Sequence, residues 1–114
     1  MREGRLQDAV QELRLAASLA PEDAHLAVVY AMALQARGRA PEALALLDAM
    51  HRRRPGEREP LFGIATIARE AGEPGRARQA AHDLLALVPE DPGAQALVRE
   101  LDRPPAGAQE TRSR

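Results

Sequence analysis

Cysteine is absent from this chain of 114 residues. That excludes disulfides, thiolate chemistry and cysteine-ligated zinc. Lysine is absent too, so all sixteen basic residues are arginine. Together with abundant alanine, proline and glycine, this bias suggests a GC-rich and bacterial genome. Aromatic residues make up only 2%, against 45% hydrophobic overall. Any core must therefore rest on many small contacts. Long apolar runs are missing as well. The longest, Leu26 to Leu34, has nine residues and is too short to span a bilayer. The first residues carry charge throughout and lack the apolar centre of a signal peptide. The expected location is the cytoplasm, unless the chain was cut from a longer exported protein. Neither sign of charge dominates: the formal net charge is −1, so no global field draws in nucleic acid or an anionic membrane.

What the chain does have is a period. Gly4, Gly38 and Gly72 are spaced by 34 residues (38 − 4, 72 − 38). Ala9, Ala43 and Ala77 keep that spacing, and so do Pro21, Pro55 and Pro89. A fixed period of this size is the signature of stacked repeats. The residue types suit a helix-turn-helix unit. Glycine just past a helix adopts the left-handed conformation that other residues resist, and so stops the first helix. Alanine lets the second helix approach the first closely. Proline cannot continue a helix and turns the chain toward the next unit.

On these residues the chain resembles the tetratricopeptide repeat family, whose unit is about 34 residues long. In residues 24–57 the matching positions are Tyr30, Ala31, Gly38, Ala43, Leu47 and Pro55. In residues 58–91 they are Ile64, Ala65, Gly72, Ala77, Leu84 and Pro89. Gly4, Ala9, Leu13 and Pro21 match a second helix that lacks its own first helix. The sequence departs from the family at packing sites where aromatics are favoured and Ala27, Leu34, Leu61, Ala68 and Ala81 stand. The resemblance implies an all-α, right-handed superhelical solenoid of about six antiparallel helices.

The expected domain is residues 1–102, with repeats at 24–57 and 58–91 and half repeats at 4–23 and 92–102. The expected helices start near Arg5, after Asp23, and near Pro41, Pro60, Gly75 and Pro92. Residues 103–114 have no apolar periodicity and are expected to be disordered. On the first helix Leu6, Val10 and Leu13 belong to an apolar stripe. If that stripe stays open, it is a candidate surface for self-association into a homodimer.

The resemblance also implies a role. First helices of successive units line the concave side of such a stack, where the family binds peptides or partner helices. Carried over residue by residue, the groove-facing positions are His25, Val28, Met32 and Gln35, then Glu59, Phe62, Thr66 and Arg69. The last helix would add Ala96, Glu100 and Arg103. One subclass grips a carboxylate with lysine and asparagine, but the matching sites here hold Val28, Met32, Phe62 and Thr66. The expected function is a non-enzymatic protein-interaction module. The alternative is a structural repeat segment of a longer protein, or a self-associating scaffold.

Other chemistry finds little support. Glu22 and His25 have the spacing of half a di-iron site, without the second copy and the carboxylates that such a site needs. Ser18, His82 and Asp83 form no hydroxyl–imidazole–carboxylate set. The run His51-Arg52-Arg53-Arg54 fans around its helix, and no aromatics alternate with it to stack bases. It suits a helix C-terminus, where the macrodipole favours cations. Neither a metal, a cofactor nor a nucleic-acid partner is expected.

Overall fold

Each boundary between helices is set by local chemistry. The computed structural model describes residues 3–103, with side chains from Asp8 onward. Within them the chain forms α1 (Glu3–Leu19), α2 (Ala24–Ala36), α3 (Ala40–Arg53), α4 (Arg58–Glu70), α5 (Pro74–Leu87) and α6 (Pro92–Asp102). The segment 104–114 and the side chain of Leu6 lie outside the described residues.

The turns within repeats are built on glycine. Gly38 and Gly72 both have φ of +79°. At the first, the Arg39 amide donates to the Leu34 carbonyl and the Gly38 amide to that of Gln35, both at 2.9 Å. At the second, Glu73 donates to Ala68 at 2.9 Å and Gly72 to Arg69 at 3.2 Å. These paired bonds satisfy carbonyls that the helix end leaves open, and they need a left-handed residue between them.

The turns between repeats are built on proline. Asp23, Glu57 and Asp91 donate their amides back to Ala20, Arg54 and Val88 at 3.1, 3.1 and 3.0 Å. Each turn has proline second, where its fixed φ is already correct. The turn delivers an acidic residue to the start of the next helix. Asp23 accepts the Leu26 amide at 3.0 Å and Asp91 that of Gly93 at 2.9 Å. Glu57, one methylene longer, makes no such bond. Helix α4 begins at Arg58, two residues before the expected Pro60. Proline is tolerated in a first turn because that turn's amides have no intrahelical partner.

Helices α2 and α3 form one hairpin and α4 and α5 the next. Helix α1 packs on α2 as α3 packs on α4 and α5 on α6, while α2 lies beside α4. The result measures 54 × 34 × 20 Å along its principal axes. Alanine sits where helices approach most closely: Ala31, Ala43, Ala65 and Ala77 have no accessible surface. The positions that depart from the family, Ala27, Leu34, Leu61, Ala68 and Ala81, are all buried, none exposing more than 4%. Aliphatic side chains fill sites the family gives to rings. None of the described helices is long and apolar enough to cross a membrane.

Ion pairs tie neighbouring parts of the stack together. Arg54 reaches Glu22 at 2.8 Å, Arg58 reaches Asp91 at 2.5 Å, and Arg76 pairs with Asp48. The hydrogen bond from Arg58 holds the Asp91 carboxyl below its ordinary pKa of 3.8, helped by the Gly93 amide and opposed by desolvation. A depressed folded pKa means the pair contributes fully above that ordinary value. The contribution falls as the pH drops through the lower, folded value. Denaturant unfolding at about pH 6 and about pH 3 should therefore show a larger acid loss for the wild type than for Asp91→Asn. Equal losses would mean that this pair carries no pH-dependent stability.

Candidate functional site

Helix α2 is apolar almost all round, so burying one face leaves apolar side chains on the other. Ala27, Tyr30, Ala31 and Leu34 face the core. His25, Val29, Met32 and Ala36 form the exposed strip opposite, with Val29 37% and Met32 38% exposed. Between these faces Val28 and Gln35 are half-buried. Val28 is turned toward α4: a Cβ built on Gly63 would lie 3.5 Å from it. Val28 and Phe62 both pack against the core, so they form the floor between helices while Met32 forms the lip.

Helix α4 repeats this arrangement with a more polar outer strip. Glu59, Phe62, Thr66 and Arg69, with Arg58 at the helix start, are its half-buried residues beside a fully buried inner face. Thr66 donates its hydroxyl to the Phe62 carbonyl at 2.9 Å, which ties that group to its own helix. Phe62 lies under the Arg58 guanidinium, 5.3 Å from the ring centroid.

Charged groups mark the two ends of this surface. At one end His25 Nδ1 lies 3.4 Å from Glu59 Oε1. That contact lacks hydrogen-bond alignment, and Glu59 Oε1 is buried without a hydrogen-bond donor among the described residues. At the other end Arg69 donates to Glu100 on α6 at 2.9 Å. Ala96, Glu100 and Arg103 are exposed. The eight residues expected on α2 and α4 thus occupy adjoining strips of neighbouring helices. Val29 was not among them. Its signal lay in the unbroken apolar run from Leu26 to Leu34, which no single buried face can absorb.

The other expected positions fall elsewhere. Val10 is 5% exposed and packs into the core, and Leu13 is half-buried against it. Helix α2 covers the side of α1 that carries them. Among the described side chains, the large apolar groups that α1 leaves open are Leu15 and Leu19, 63% and 77% exposed. In the basic run, Arg53 donates to the Pro21 carbonyl at 3.1 Å. Arg54 donates to Glu57 at 3.2 Å and Glu22 at 2.8 Å, and these bonds raise its pKa. Both arginines fasten α3 to the neighbouring turns. His82 contacts Asp102 at 3.0 Å and holds the end of α6 against α5.

Paired helices stacked at a fixed repeat, with first helices side by side, define a helical repeat solenoid. The tetratricopeptide repeat model matches residues 1–59 and 34–101, and the chain belongs to that family. Repeats of this family generally mediate protein–protein interaction, and the family is generally non-enzymatic. No curated protein matches the chain.

Proposed function

We propose that this chain binds a segment of a partner protein along the outer faces of α2, α4 and α6. The observation that carries the reading is the apolar lip of Val29 and Met32 beside the half-buried Val28 and Phe62. Apolar side chains that stay solvated next to a partly closed floor suit an amphipathic helix or a short extended peptide. Methionine on the lip can reshape to fit its partner. Glu59, whose side chain as a whole is 42% exposed, would accept a hydrogen bond from the bound segment through its accessible oxygen. Arg69 with Glu100 would set its direction. The partner segment therefore carries two or three apolar anchors, with a donor at one end.

The test begins with a peptide selected from a random display library against the wild type. Val29→Glu with Met32→Glu should weaken its binding by about tenfold or more, because loss of an anchor costs over 1 kcal/mol. Circular dichroism should be unchanged, since both side chains are on the exposed strip. Phe62 is the poorer choice because it packs on the core. Undiminished affinity in the folded double variant would place the binding surface elsewhere.

A further inference from the structure

The repeat makes two equivalent crevices on the side away from that groove, and they are not equally filled. One lies between α3 and α5, lined in part by Asp48, His51, Leu61 and Arg76, with a volume of about 120 Å³. The other lies between α1 and α3, lined in part by Arg14, Ala17, Ala27, Met50 and Arg53, with a volume of about 250 Å³. A shift of 34 residues relates them: His51 corresponds to Ala17 (51 − 17) and Leu61 to Ala27 (61 − 27). At these two places the second repeat has an imidazole and an isobutyl group where the first has two methyls, while Tyr30 and Leu46 of the first stand where the second has the smaller Ile64 and Ala80. A cavity of about 150 Å³ takes a benzene ring, so the larger crevice has room for one bulky side chain.

The rims differ as well. Arg76 pairs with Asp48 across the mouth of the smaller crevice. The corresponding residues of the larger one are Glu42 (76 − 34) and Arg14 (48 − 34), the same charges exchanged. That clasp is not formed. Glu42 pairs with Arg39 at 2.8 Å, and Arg14 has no acidic partner among the described residues. Arg53 stands on the same rim and, among the described residues, donates to the Pro21 carbonyl alone. An apolar crevice is thus left open beneath two guanidiniums that have no acidic partner among the described residues, with the helix-capping Asp23 also on its edge.

The geometry points to a second interaction site here, independent of the groove. Its occupant is an acidic protein segment that inserts one aromatic or leucine side chain. The apolar side chain replaces what His51 and Leu61 supply in the next repeat. The flanking carboxylates answer Arg14 and Arg53, which are desolvated in part by the insertion and so favour a charged over a neutral partner.

The probe is a fluorescein-labelled pentapeptide with one phenylalanine between two pairs of glutamates, followed by fluorescence anisotropy. It should bind the wild type, with weakening at raised salt. Ala27→Leu and Arg14→Glu should each reduce affinity by about tenfold or more, while Met32→Glu leaves it unchanged. Ala27→Leu should fold, because Leu61 occupies the same place one repeat on. If its melting curve is altered, Ala17→Leu fills the crevice from the α1 side instead. No binding at millimolar peptide, or wild-type affinity in a crevice-filled variant, overturns the site. Equal affinity for free 3-phenylpropionate overturns the assignment to a protein segment.

Discussion

Leu47→Ala is expected to lower the unfolding free energy by about 2–5 kcal/mol, the range for removing a buried leucine side chain. Leu47 has no accessible surface and sits on α3, which packs against both α2 and α4. Its loss leaves a void at the centre of the stack. The core around it is rich in alanine, whose methyls cannot swing inward to fill the space, so the upper half of the range applies. Small domains have about 5–15 kcal/mol in total, and the variant should melt far below the wild type. Leu15→Ala is the control: with that side chain 63% exposed, its effect should stay within about 0.5 kcal/mol. Similar losses for both would mean that Leu47 does not occupy the core.

Gly63→Leu should also destabilise, by about 1–3 kcal/mol, and the sign is the informative part. Glycine inside a helix normally costs about 0.5–1 kcal/mol relative to alanine, so propensity alone predicts a gain. At Gly63, however, a built Cβ lies 2.8 Å from Leu47 Cδ1 and 3.5 Å from Val28. A leucine there meets α2 and α3 at once. Denaturant titration of the two single variants and of Leu47→Ala with Gly63→Leu tests the contact directly. The leucine at 63 should refill part of the void at 47, giving a coupling of about 0.5–3 kcal/mol. Strictly additive losses would show that α3 and α4 do not meet at these residues.

Much of the fold was legible because its signals are local. Gly38 and Gly72 announce left-handed helix ends, and Pro21, Pro55 and Pro89 announce the turns that start each repeat. Ala43 and Ala77 announce close helix approach. Gly63 carried no such message: nothing in its helix distinguishes a glycine kept for a neighbour's side chain from one merely tolerated. The candidate groove was legible in part. His25, Met32, Glu59, Thr66 and Arg69 follow from the period, since equivalent residues face the same way. Val28 turns toward α4 and Val29 takes the exposed place, because the tilt between neighbouring helices decides which flank is covered. Val10 follows the same logic on α1, where α2 covers it.

By itself the chain determined its period, its helices, the chemistry of its turns and its membership of a repeat family. Those depend on residues a few positions apart, whose preferences act whatever surrounds them. The tertiary structure alone decided which apolar residues stay wet, that Leu47 meets Gly63, and that one crevice is clasped by Arg76 and Asp48 while its twin stands open under Arg14. These outcomes depend on distances between helices and on competition for partners, as when Glu42 turns to Arg39, and neither is written in the spacing of residues along one chain.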